Sequence, residues 1–100
     1  MIEKAIIKIK GKNYNIRRSW RSLIMFEEIT HKNVDKMEGS ATDLLILFYC
    51  IVKSNNKTFN KTYNEFLDMV DADDSCVDEF TAYIVKLAEN EISEVDKKKV

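Results

Sequence analysis

Apolar and polar positions alternate along AIIKIKGKNYNIRR. Ile7 and Ile9 fall on one side with Lys8 and Lys10 on the other; beyond Gly11–Lys12, Tyr14 and Ile16 share a face between Asn13, Asn15 and Arg17. A period of two marks a half-buried strand, so residues 2–18 are predicted to form a β-hairpin turning at Gly11–Lys12. A lone hairpin is marginal in water, and its apolar face therefore needs helices to rest on. The period then changes. Ser19 is a good N-cap for a first helix over residues 20–30. On a wheel of about 100° per residue, Trp20, Leu23, Ile24, Met25, Phe26 and Ile29 spread almost all the way round. A helix apolar on most sides is expected to be buried on most sides.

Three further helices follow from the pattern. Ser40 and Asp43 have capping-box spacing, with Asp in place of Glu, ahead of a helix over residues 41–53. Its centre, LLILFYCIV, could also be a buried strand, but the preceding cap and the leucine content favour helix. This should be the central element, contacted from several sides. Thr62 and Glu65 form a full capping box opening a helix over residues 63–70. Past the acidic turn DADDSC, Ser75 or Asp74 together with Asp78 starts a fourth helix over residues 75–89. Val77, Phe80, Ile84, Leu87 and Ala88 form its stripe. The stripe fades from Glu89, and residues 91–100 read as a flexible tail. The predicted fold is α+β and predominantly α-helical: an N-terminal β-hairpin packed on about four helices, in one globular domain over residues 1–90.

Composition fits that picture. One hundred residues make a single domain, and a chain of this size buries roughly 65% of its unfolded surface, enough for one core without staples. Two glycines and no proline leave few kinked or left-handed positions, as short Asn/Asp/Ser turns between helices require. Cys50 and Cys76 read as reduced cytosolic thiols and not as a disulfide framework. The charged N-terminus lacks the apolar stretch of a signal peptide. The longest apolar run, Leu44 to Val52, falls well short of the roughly twenty residues a bilayer demands. These features together predict a soluble, cytoplasmic protein.

The net charge of −1 conceals a gradient: residues 1–21 carry +6 and residues 65–96 carry −10. Such polarity suits two partners, or self-association head to tail, although complementary faces of one fold explain it as well.

The parts an enzyme needs are largely missing. The stretch DADDSCVDEFTA matches a calcium loop at its first, third and fifth positions. Cys76 then stands where glycine makes the sharp turn, and Ala82 stands where a bidentate Glu should close the site. His31, the single histidine, sits where a helix should end and complements its dipole there. Two cysteines and one histidine, widely separated, give no zinc pattern, and there is no phosphate-binding glycine loop. No catalytic, metal or cofactor residue is assigned, and the protein is read as a non-enzyme. KNYNIRRSWR interleaves aromatics with arginines in the manner of single-strand binders. The acidic pI of 5.8 and a Trp20 expected in the core weigh against nucleic acid.

SWRSLIMFEEITHKN resembles the first helix of the tail assembly chaperones of long-tailed bacteriophages. The shared features are Trp20, the pair Leu23–Ile24, and then Phe26, Glu27, Glu28, Ile29 and Thr30. His31 replaces the glycine that this family carries before Lys32 and Asn33, a departure that bears on the helix C-cap alone. SATDLLILFYCIVKSNN is similar to the family's second helix, through Thr42-Asp43-Leu44 and the apolar run. TYNEFLDMVDAD is similar to its third segment, through Phe66, Leu67 and Asp71. The ordered match covers roughly residues 1–88, and its motifs are mostly packing residues.

The resemblance implies a non-enzymatic cytoplasmic protein of the infected bacterium, absent from the mature virion. It implies the tape measure protein as partner, held soluble while the tail tube assembles around it, with the tail-tube protein as a further partner. A binder of an amphipathic helix needs an apolar groove rimmed with charge. The surplus apolar positions of the first helix would supply it, making Tyr14, Leu23, Met25, Phe26 and Tyr63 the candidate contacts. A small helical adaptor or regulator, or a nucleic-acid-binding accessory protein, are the alternatives.

Overall fold

The computed structural model describes residues 4–32 and 40–99, with side chains through Leu87 and at Glu89. Element order is β1 (Ala5–Ile9), β2 (Lys12–Ile16), α1 (Trp20–Thr30), α2 (Ala41–Asn55), α3 (Tyr63–Ala72) and α4 (Ser75–Lys99). The fold is α+β and mostly helical, with the hairpin packed on α2 and α4. Residues 2 and 3 of the expected hairpin, and the Ala88 side chain of the expected fourth stripe, lie outside the described residues.

The hairpin pairs antiparallel, with Ile7 opposite Tyr14 and Ile9 opposite Lys12. Its turn is Lys10–Gly11, one residue earlier than the sequence suggested, with φ of 52° and 81°. Two central residues at positive φ make a type I′ turn, whose twist matches that of the strands it joins. Gly11 adopts this conformation without a Cβ penalty, whereas Lys10 does not. The Lys10 N–H donates to Asp73 Oδ2 at 2.8 Å, tying the turn to the α3–α4 junction. Ile7, Ile9, Tyr14 and Ile16 point into the core, as the alternation requires.

At Asn15 the outer edge of β2 is covered by the end of α2. The Asn15 N–H donates to Asn56 Oδ1, and Asn56 Nδ2 donates back to the Asn15 carbonyl, each at 2.9 Å. One side-chain amide thus takes the place of a neighbouring strand. Asn55 Nδ2 donates to the Arg17 carbonyl at 2.7 Å just beyond.

Ser19, Ser40 and Thr62 cap their helices by accepting the backbone N–H of Ser22, Asp43 and Glu65 respectively. The Thr62–Glu65 box closes in both directions. Ser40 also caps, but the Asp43 carboxylate turns to Lys32 Nζ at 2.6 Å and so joins the end of α1 to the start of α2. At the end of α1, His31 is left-handed (φ 60°, ψ 27°) and its N–H donates to the Glu27 carbonyl. A glycine would take that conformation at less cost.

Every residue of α2 from Leu47 to Val52 is buried. Phe48 stacks on Phe80 with ring centroids 4.3 Å apart and meets Phe66 edge-on at 5.1 Å. In α4 the fully covered line is Cys76, Phe80, Tyr83 and Leu87, while Val77 and Ile84 sit at its margin. The buried face is therefore rotated from the stripe expected, because Cys76 and Tyr83 count as apolar cover. The Tyr83 hydroxyl accepts the Arg18 N–H at 3.1 Å. The backbone of α4 is helical to Lys99 where the sequence suggested a flexible tail from residue 91. A fading stripe reports lost packing; the absence of Gly and Pro and the frequency of Glu and Lys favour helix regardless.

Candidate functional site

Helix α1 packs chiefly on α2. Its buried residues are Ser22 and Phe26, one turn apart, so the packed face is narrow. Ser22 owes its place there to local bonding: its hydroxyl donates to the Ser19 carbonyl at 2.7 Å and accepts the Ser19 N–H at 2.9 Å. A small polar residue on the inward face leaves apolar residues elsewhere on the wheel. Trp20 is 79% exposed and Ile24 53% exposed, with Ile29 nearly half exposed at the far margin.

Trp20, Leu23 and Ile24 stand at spacings of three and four, which brings their side chains onto one outward patch. Leu23 is half-buried between that patch and the packed face. Arg21, Glu27, Glu28 and His31 are exposed around it. The patch has the form of a helix-docking face: an aromatic anchor, two aliphatic neighbours and a charged rim.

The structure distributes the five residues picked from the sequence differently. Leu23 belongs to the outward patch. Met25 is half-buried and packs against the core. Phe26 is fully buried, and Tyr14 is 7% exposed, so neither presents surface in this fold. Tyr14 and Tyr63 belong instead to a chain of rings: Tyr14 meets Phe59 at 5.8 Å, Phe59 meets Tyr49 at 6.1 Å, and Tyr49 meets Tyr63 at 5.5 Å. Trp20, read from the sequence as a core residue, is the most exposed large hydrophobic described. Its position one residue after the N-cap, four before Ile24 and seven before Glu27, is the signal that could have placed it outside.

A concavity of about 610 Å³ lies at the open end of the hairpin, where Ala5, Ile6, Asn15, Ile16 and Arg17 approach Asn55. Ile6 is 64% exposed at its rim.

The titratable groups offer little chemistry. Burial pushes the Cys50 thiol up to about 12, against a smaller opposing pull from Lys53. Burial, with nearby Asp73 and Glu79 adding to it, pushes Cys76 up to about 11. Both are buried free thiols, protonated at neutral pH and without nucleophilic character. Burial, with nearby Cys50 adding to it, raises the Tyr63 hydroxyl. The Thr62 N–H and hydroxyl hold Glu65 below its usual value. The Lys10 N–H, then the Ser75 hydroxyl, do the same for Asp73. Asp73 is thus committed to the hairpin turn and to Ser75 Oγ at 2.8 Å. Among the described residues, no group of three or more His, Cys, Asp or Glu is placed to hold a metal, and no helix is long and apolar enough to cross a membrane.

No protein-family model matches the chain, and no curated protein or solved structure matches it either.

Proposed function

We propose that this chain is a tail assembly chaperone of a long-tailed bacteriophage, binding an amphipathic helical segment of the tape measure protein through the outward face of α1. The observation that carries this reading is the exposure of Trp20 and Ile24. They lie in SWRSLIMFEEITHKN, one of the three stretches that resemble the family. An isolated exposed leucine or isoleucine needs no explanation, but an uncovered tryptophan with apolar neighbours on the same helix face is an uncommon feature of a monomer surface. On this reading the protein acts in the bacterial cytoplasm, leaves before the virion is complete, and meets the tail-tube protein while the partner is still held.

Co-expression with the tape measure protein tests the proposal. The wild-type chain should render the long partner soluble and co-purify with it, whereas Trp20→Ala combined with Ile24→Glu should remain folded and recover neither. Equal recovery with both forms would move the contact away from α1.

A second reading gains from the same exposure. Trp20 stands beside Arg17 and Arg21, an arrangement that can stack on single-stranded nucleic acid. Tyr14, the other aromatic of that basic stretch, is buried and adds no second platform. Salt-sensitive retention of an oligonucleotide, lost on Trp20→Ala, would favour this reading over the chaperone.

A further inference from the structure

The two edges of the hairpin are treated differently. On β2, the N–H and carbonyl of Asn15 both turn outward to Asn56. Asn15 is paired with Ile6, so Ile6 and Asn15 form a non-hydrogen-bonded pair and the Ile6 N–H and carbonyl point away from β2. The alternation continues two residues on: Lys8, opposite Asn13, also turns its N–H and carbonyl to the outside. Among the described residues no hydrogen bond reaches these four groups. On β2 the Asn56 side chain covers the edge at Asn15, leaving Asn13 uncovered, whereas among the described residues no side chain bonds the β1 edge at either Ile6 or Lys8.

Along the hairpin itself the charge has one sign, and the Asp73 carboxylate of the α3–α4 junction is held at its turn. Lys4, Lys8, Lys10, Lys12, Arg17 and Arg18 all lie between Lys4 and Ser19, and no acidic residue does. Lys4, Ile6 and Lys8 alternate on the exposed face, so an incoming strand would meet a cation, an apolar side chain and a second cation in turn. The 610 Å³ concavity at the open end of the hairpin includes Lys4 and Ile6 in its lining, with Asn15, Arg17 and Asn55 on the β2 side.

We propose that the outer edge of β1 docks an extended acidic segment of a partner protein, which adds as a third strand beside Ile6 and Lys8. Main-chain bonds to the outward N–H and carbonyl groups hold it, and its register is set by acidic residues against Lys4 and Lys8 with an apolar residue against Ile6. A second copy of β1 is a poor occupant because it would bring lysines directly against lysines. Nucleic acid would answer the charge but has no use for the row of backbone groups, and Tyr14 faces the core. This surface is separate from Trp20 and Ile24, and it stands whether or not α1 binds a tape measure helix.

The probe is a short fluorescein-labelled peptide containing Glu-Thr-Val-Thr-Glu, followed by polarisation against the full chain. Saturable binding is expected. It should weaken about tenfold or more when the glutamates become lysines, or when N-methyl groups block the amides of one alternating set of peptide residues; the other set should tolerate methylation. Lys8→Pro removes an N–H that points outward and leaves the β1–β2 ladder intact, so it should cost a similar factor with an unchanged circular dichroism spectrum. Trp20→Ala should leave peptide binding as it was. Absence of saturable binding, indifference to the methylation pattern, displacement by a single-stranded oligonucleotide, or a helical bound peptide would each overturn the proposal. The methylation series decides the matter on the unaltered protein even if Lys8→Pro fails to fold.

Discussion

Helices α1 and α2 look alike on a helical wheel and behave differently in the fold. Both carry bulky apolar residues on most sides. In α2 the whole run from Leu47 to Val52 is buried, because the hairpin, α1 and α3 all pack on it. In α1 burial is confined to Ser22 and Phe26, and the residues that α2 would have hidden stay in solvent. Apolarity all round a helix therefore has two meanings. In a central helix it is cover for several neighbours; in a peripheral one it is a surplus, and among the described residues Trp20 is the most exposed part of it.

The largest effect should come from the central helix. Phe48→Ala removes the ring between Phe80 and Phe66 and should cost about 3–5 kcal/mol in denaturant unfolding. Phe26→Ala in α1 should cost less than Phe48→Ala, about 3 kcal/mol, since α1 has a single packed face along which a cavity can partly collapse. If the Phe26 loss equalled or exceeded that of Phe48, the contrast between central and peripheral helices would fail.

His31→Gly acts at the end of α1 in the opposite direction. It relieves a left-handed non-glycine residue and should stabilise by about 0.5–1 kcal/mol, visible as a rise of a few degrees in the melting temperature. A fall would mean that the His31 side chain contributes more than its backbone strain costs. Smaller again, Trp20→Ala and Ile24→Ala should each change stability by no more than about 0.5 kcal/mol while weakening capture of a helical partner. A loss of several kcal/mol on Trp20→Ala would show that its indole is covered in solution.

The last prediction concerns pH. Asp73 is held below the usual carboxylate value by the Lys10 N–H, and then by Ser75. A carboxylate depressed in the folded state stabilises it above the unfolded value, and that contribution is lost as pH falls through the folded value. Thermal melts of Asp73→Asn should thus lose less stability than wild type between neutral pH and the acid range. Identical acid profiles would remove this junction as a contributor.

The elements were legible because the chain marks their beginnings. Ser19, Ser40 and Thr62 each precede a helix and each accepts the bond its position promises, so three starts are fixed by local chemistry. The ends were harder to read. Helix α2 runs to Asn55 and α3 to Ala72, each two residues beyond the expected end, and α4 continues to Lys99. Fading amphipathicity ends a packing face without ending a helix. The turn at Lys10–Gly11 was displaced because a type I′ turn places a lysine at positive φ, which no propensity would choose; Asp73, far along the chain, secures it.

The surface was the least legible part. Phe26 and Trp20 are both aromatic, six residues apart on one helix, and their opposite fates depend on the depth of α2's contact. Ser22 is the residue that misleads: its self-contained bonding to Ser19 lets a polar side chain occupy the inward face. The edge of β1 was invisible for a different reason. Strand alternation shows which side chains face outward but not which outward backbone groups find a partner; at Asn15 that partner is Asn56, 41 residues away.

The bonds that hold the hairpin also impose an order on its making. Asn15 waits for Asn56, Lys10 for Asp73 and Arg18 for Tyr83, separations of 41, 63 and 65 residues. At about 5–20 residues per second, a ribosome takes roughly 3–13 s to supply the last of these partners. Until then the two strands emerge with nothing to rest on and, being marginal alone, sample open and closed forms. The strands are thus secured only after the helices that hold them have been made, and the arrival of Tyr83 in α4 supplies the last of the three ties.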